Sequence, residues 1–162
     1  MFQVPSSKFQ ENGFTLLELL LYIGIIGLVM VIVAETFVLF VTSQKKIEIR
    51  SLVEQNLDLY LKKIEQSVKE ASNITGNYPA NTLSLANATT TYSLENGVFK
   101  KDGVAISSNR VVVATTSDFL FYKVEATSTK PTIQVKMKVR YNSDDSQLKS
   151  ISAQSQTTFS LR

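Results

Sequence analysis

Residues 13–41 read GFTLLELLLYIGIIGLVMVIVAETFVLFV, and this stretch decides the architecture. From Phe14 to Val41 the chain is apolar except for Thr15, Glu18, Glu35 and Thr36, with Gly24, Gly27 and the amphipathic ring of Tyr22 inside. A helix over these residues is about 42 Å long at 1.5 Å per residue, against about 30 Å of bilayer hydrocarbon. The segment therefore predicts a membrane span. A cleaved secretory signal fits less well, because its apolar core runs about 7–15 residues and ends in a small-x-small site. Here Thr42-Ser43-Gln44-Lys45-Lys46 follows instead.

Working outward, Met1 to Gly13 is polar, with Pro5, Lys8 and Glu11, and reads as a leader. On the other side no Pro or Gly occurs between Gly27 and Gly76. Past Val41 the pattern becomes amphipathic, with Val53, Leu57, Leu61, Ile64, Val68 and Ala71 on one helical face and Lys62, Lys63, Glu65, Gln66, Lys69 and Glu70 elsewhere. One helix from Phe14 to Ser72, roughly 90 Å long, is the simplest reading.

Residues 73–91 are rich in Ser, Thr and Asn, contain Gly76 and Pro79, and predict a loop. Asn73-Ile74-Thr75 and Asn87-Ala88-Thr89 match the glycosylation pattern, as short motifs in such composition do by chance. Asn96-Gly97 and Asp102-Gly103 signal two tight hairpins among strands at 91–95, 98–101 and 104–107. Further strands are expected at 110–114 and 119–126. Another is expected at 132–141, where Ile133, Val135, Met137, Val139 and Tyr141 alternate with Gln134, Lys136, Lys138 and Arg140. After a polar turn at 142–146, Ala153, Ser155, Thr157, Phe159 and Leu161 alternate in a last strand. The fold class is α+β: a long N-terminal helix packed on a C-terminal antiparallel sheet. The expected organisation is a leader at 1–13, a membrane helix at 14–41, its amphipathic continuation at 42–72, the loop at 73–91 and the sheet domain at 92–162.

Composition narrows the chemistry. The 162 residues include no Cys and no His, which removes disulfides, thiolate catalysis, the usual zinc sites and histidine acid–base chemistry. No coupled nucleophile and base is visible, so an enzyme is not expected. The net charge of +3 comes from scattered Lys and Arg, too mild to indicate nucleic acid by itself.

Glu18 is the anomaly. A carboxylate in a membrane helix costs about 2.5–3.5 kcal/mol at the centre and less near an interface, and usually has a partner or a function. The span offers no Lys, Arg or His. A cut between Gly13 and Phe14 would create an α-amino group one turn from Glu18, and the helix N-terminus itself favours a nearby negative charge. Pairing within one chain would only neutralise the carboxylate. Pairing between the amine of one subunit and Glu18 of another would also set their register.

Gly13-Phe14-Thr15-Leu16-Leu17-Glu18 ahead of a long apolar helix resembles the signature of type IV pilins and of the pseudopilins of type II secretion and competence. The resemblance implies that a membrane prepilin peptidase cuts after Gly13, that Phe14 becomes the N-methylated first residue, and that Glu18 acts in filament assembly. It also implies other subunits and an inner-membrane assembly platform as partners. The implied location is a single pass through the bacterial cytoplasmic membrane, with the sheet domain on the extracytoplasmic side and later in a filament. Where many pilins have a proline in mid-helix, this chain has Glu35 nearby. The lack of a cysteine pair leans towards a minor pilin or pseudopilin.

Charge around the span opposes that topology, since Lys45, Lys46 and Arg50 follow it and only Lys8 and the amino terminus precede it. The motif outweighs this, because an inverted, uncut protein leaves Glu18 unexplained. Glu35 stands near the end of the apolar run and is expected to reach the headgroups rather than to make a second intersubunit contact. Lys136, Lys138 and Arg140, with Lys149 as a further candidate, would form a basic stripe. Such a row is an ordinary solvated strand face or, alternatively, a contact for DNA phosphates in an uptake pilin. Asn142, Ser143, Asp144 and Asp145 offer oxygens for calcium but lack the twelve-residue loop pattern, so no cofactor is expected. A different class of protein, an uncleaved signal anchor carrying a ligand-binding β ectodomain, is the competing reading.

Overall fold

A computed structural model describes residues 15–86, 90–115, 120–124 and 130–161. The chain divides into two units, Met1–Ser43 and Gln44–Arg162. Helix α1 runs from Leu16 to Glu70 without a break at Gly24 or Gly27. A Cβ added at either glycine would meet nothing, so neither is required by a close contact.

In the first unit every described side chain is exposed, including Leu16 at 81 % and Phe37 at 66 %. The threonines of this stretch hide their hydroxyls: Thr36 Oγ1 donates to Ile32 O at 2.8 Å, and Thr42 Oγ1 to Leu39 O at 2.9 Å. Such back-bonding lets Thr sit in an apolar helix with its donor satisfied.

In the second unit α1 buries Val53, Leu57, Tyr60, Ile64, Ser67 and Val68, and Ala71 just past its end is buried as well. Leu61, expected in this stripe, is only half-buried, and Tyr60 takes its place. The seam continues at alternating steps of four and three, through 53, 57, 60, 64, 67 and 71, and brings a tyrosine and a serine inward. Both find partners. Tyr92 Oη donates to Lys63 O at 3.0 Å, which uses its single proton, so Ser67 Oγ donates to Tyr92 Oη at 2.8 Å. Tyr60 Oη donates to Asn56 Oδ1 at 3.0 Å.

The single expected sheet is two antiparallel sheets. The first is a meander of β1 (Asn73–Thr75), β2 (Thr82–Ala86), β3 (Thr90–Glu95), β4 (Val98–Lys101) and β5 (Val104–Ala105). The segment 73–91, expected as a loop, thus supplies two strands and the start of a third. Its polar composition concealed an alternation, for Ile74, Leu83 and Leu85 are buried while Ser and Thr occupy the outward positions. Asn73 stands in β1, its Oδ1 accepting from Ile74 N at 2.8 Å, and Asn87-Ala88-Thr89 lies outside the described residues. Both expected hairpins are present. Asn96 and Gly97 have φ of 51° and 79°, and Asp102 and Gly103 have 52° and 79°, the paired positive values of a type I′ turn.

The second sheet is built on β8 (Thr132–Tyr141), which pairs along its length with β9 (Ser152–Ser160). Its other edge is shared end to end by β6 (Val111–Thr115), opposite Met137–Tyr141, and β7 (Phe121–Val124), opposite Thr132–Val135. Residue 119 and the end of the strand expected at 119–126 lie outside the described residues. The polar turn at 142–146 leads directly into a short helix α2 (Ser146–Lys149), capped by Asp145 Oδ1 accepting from Gln147 N at 2.9 Å.

The sheets are tied by Val113 N donating to Gly97 O at 2.9 Å and by a two-way backbone bridge between Ala80 and Phe121. Gly97 combines a positive φ with crowding, as a Cβ there would stand 2.6 Å from Val112 Cγ1. Gly97→Ala is therefore expected to destabilise the sheet domain by about 2 kcal/mol, strain and overpacking together. Trimming Val112 to Ala in the same chain should recover the packing part but not the backbone part, a split readable from urea midpoints.

Burial pushes the phenols of Tyr60 and Tyr78 above their ordinary value of 10.0, partly offset by the backbone at Ser108 and Ser84 respectively. The folded state thus holds these protons more tightly than the unfolded chain. Their contribution is fully present below pH 10.0 and is lost as pH rises through the raised folded values. Urea midpoints should stay level up to about pH 9 and fall above about pH 10, less steeply in Tyr60→Phe.

Candidate functional site

Helix α1 begins with a device visible in its own sequence. Thr15 Oγ1 accepts from Glu18 N at 3.3 Å, so the hydroxyl satisfies one of the amides that a helix start leaves without a partner. Thr15-Leu16-Leu17-Glu18 has the Ser/Thr-x-x-Glu spacing of a capping box. Thr15 was not among the expected site residues, although that spacing is its signal.

Glu18 is exposed in this first turn, where the unpaired amides of the helix end make a carboxylate favourable. Among the described residues no ion pair includes Glu18 or Glu35. Seventeen residues of helix, about 25 Å, separate the two carboxylates. They belong to opposite ends of the apolar run and cannot share one cation. Gly13 and Phe14, the expected cut and methylation positions, lie outside the described residues.

In the second unit, Lys136, Lys138 and Arg140 occupy successive outward positions of β8, about 6.7 Å apart. Their cross-strand neighbours on β9 are Gln156, Gln154 and Ser152, and Ala114 and Val112 on β6 flank the last two. The Lys136 ammonium sits over the Tyr122 ring, 4.4 Å from its centroid. The strand therefore brings the three expected basic residues together, whereas Lys149 belongs to α2.

Of the four candidate calcium ligands, Asp145 uses one carboxylate oxygen as the cap of α2, and Asn142 Nδ2 donates to Asn109 O at 2.9 Å. Among the described residues no three acidic side chains converge on a point.

A family model described as the prokaryotic N-terminal methylation motif matches residues 8–34. The match takes in Gly13, Phe14, Thr15 and Glu18 and most of the apolar run, and is the signature of type IV pilins and pseudopilins. No curated protein and no solved structure matches the chain. The motif supports a type IV pilin-like precursor, and with the exposed apolar helix it fits a protein anchored in the inner membrane.

Proposed function

We propose that the chain is a structural subunit, a minor pilin or pseudopilin, of a filament of the pilus, type II secretion or competence kind. Prepilin peptidase cuts it after Gly13 and methylates Phe14, the apolar part of α1 holds it in the membrane, and assembly then moves that helix into a bundle of like helices. The observation that carries this reading is Glu18. It stands at the helix start, at the head of a run of apolar side chains that are all exposed, and no ion pair among the described residues includes it.

The apolar surface accounts for cohesion. A Leu or Ile side chain fully buried contributes about 1.5–3 kcal/mol, and more than twenty large hydrophobics of α1 and its surroundings stand exposed. Such a surface needs lipid or other helices. Apolar contacts slide, however, and the carboxylate supplies the fixed point along the axis.

The N-terminal peptide of the membrane-embedded protein tests the processing step. Mass spectrometry should find Phe14 as first residue carrying one added methyl group, and Gly13→Leu should leave the leader attached. A native protein that begins at Met1 in the membrane would reject the filament reading in favour of an uncleaved anchor.

A further inference from the structure

Lys45, Lys46 and Arg50 follow the apolar run within nine residues of Val41, and in the proposed orientation they stand on the side of the membrane where such cations are disfavoured. Intramolecular pairing does not explain them. Arg50 Nε donates to Glu54 Oε1 at 3.0 Å, leaving its terminal amino groups, and no ion pair among the described residues includes Lys45 or Lys46.

A shallow cavity of about 390 Å³ gives two of these cations a common direction. It is lined by Lys46, Ile47 and Arg50 from α1, by Ser150 and Ile151 from the connection between α2 and β9, and by Ser152 at the start of β9. Lys46 and Arg50 are one turn apart and so neighbours on the same helix face. Ser150 Oγ already donates to Gln147 O at 2.6 Å, which leaves the Ser152 hydroxyl as the donor from the facing wall. No carboxylate lines the cavity, and Ile47 and Ile151 add an apolar surface beside the cations.

We propose that this cavity binds the phosphate of an anionic phospholipid headgroup, with Lys46, the free amino groups of Arg50 and Ser152 holding the phosphate oxygens and Ile47 and Ile151 covering the glycerol end. The apolar wall is what selects a lipid over free phosphate, which has nothing to place there. The cations also follow the span closely in sequence: Lys46 is five residues past Val41, about 7.5 Å of helix, and Arg50 nine, about 14 Å, so against a polar layer about 5–8 Å deep their long side chains have only to reach back to the headgroups. The inference rests on the membrane-anchored reading and gives the basic flank a partner: the lipid neutralises it while the subunit waits in the membrane, and must be released when the helix is extracted.

Each Lys or Arg close to an anionic lipid surface is worth about a fivefold gain in binding. Two cations, partly offset by Glu54, predict about tenfold enrichment of anionic lipid. The full chain is reconstituted in vesicles of equal phosphatidylcholine and phosphatidylglycerol, extracted, and the retained lipid counted by native mass spectrometry. Phosphatidylglycerol should be retained about tenfold over phosphatidylcholine. The preference should vanish both in the double variant Lys46→Gln, Arg50→Gln and in Ser152→Asp, which places a carboxylate in the wall without removing a cation. It should survive the same charge loss at Lys136 and Lys138, and 10 mM inorganic phosphate (roughly the concentration that would fill a weak free-anion site) should not displace the lipid. Equal loss from the Lys136, Lys138 control would overturn the cradle in favour of bulk charge, and displacement by phosphate would overturn it in favour of a free-anion site. Failure of the unaltered chain to remain with pure phosphatidylcholine vesicles would instead defeat the membrane-anchored reading, and the cradle with it.

Discussion

Replacing Glu18 with leucine should leave the protein processed and in the membrane while cutting its recovery in assembled filaments by about tenfold or more. Leucine removes the cost of holding a carboxylate in an apolar helix, so membrane residence does not suffer. It is also a strong helix former. The Thr15 cap uses the backbone N–H of residue 18, which any residue but proline retains. The substitution therefore deletes the charge and little else.

In the proposed filament that charge answers the α-amino group released at Phe14. Leaving one member of a buried ion pair alone costs about 3–5 kcal/mol, which corresponds to two or more powers of ten in an equilibrium. Residual contact with headgroups or water reduces this, hence the lower bound of tenfold. Immunoblots of sheared filaments against membranes measure the effect, and the mass of the N-terminal peptide verifies that the cut is unaltered. Glu35→Leu provides the comparison. Glu35 stands near the other end of the apolar run, so its loss should change incorporation less than about twofold, within the scatter of a surface substitution. Normal incorporation of Glu18→Leu would show that Glu18 only reaches the headgroups.

The parts of this protein legible in its sequence are those in which local chemistry leaves one solution. An apolar run continued by an amphipathic pattern, with no proline between Pro5 and Pro79, made α1 visible from the first turn to Glu70. The Asn-Gly and Asp-Gly pairs made both hairpins visible because few other residues accept two consecutive positive φ values. Strand β8 agreed to the residue because strict alternation survives only with one face buried. Tertiary context hid the rest. That β4 and β6 fall in separate sheets, meeting where Val113 N donates to Gly97 O, is a matter of pairing about which neither strand's own pattern says anything. Tyr60 and Ser67 were passed over because a hydroxyl looks like a surface group until its partner is known, and those partners lie at Asn56 in the helix and at Tyr92 in β3. Of the candidate site, Glu18 is conspicuous in the sequence as a carboxylate in an apolar run and Thr15 is marked by its spacing from it, but the cavity at Lys46 and Arg50 needed the α2–β9 connection to be placed.

The sheet domain should respond most strongly to Phe99→Ala, at the high end of the roughly 3–5 kcal/mol expected for such a truncation. Phe99, fully buried on β4, lies between two rings: Tyr60 of α1 at 5.5 Å, tilted by 53°, and Tyr92 of β3 at 5.6 Å, nearly parallel. The size of the loss depends on whether these neighbours can close the void. Neither is free to. Tyr60 is held through its hydroxyl by Asn56, and Tyr92 is clasped by Lys63 O and Ser67. The backbone of residue 99 is fixed as well, its amide donating to Ser107 Oγ and its carbonyl accepting from Ile106 N and Ser107 N. Moving Tyr92 inward would break a buried hydrogen bond and moving Tyr60 a part-buried one, at about 1–3 kcal/mol, so the cavity should persist. With a urea slope of about 2 kcal/mol per molar, the midpoint of residues 44–162 should drop by about 2 M. Phe99→Leu, which fills most of the space, should lose less than half as much. Adding Tyr92→Phe to Phe99→Ala frees one ring to move, so the combined loss should fall short of the sum of the two single losses. A midpoint drop below about 0.5 M in Phe99→Ala would mean that the hydrogen-bonded rings do relax, and that the tyrosine clasps do not set the packing between α1 and the first sheet.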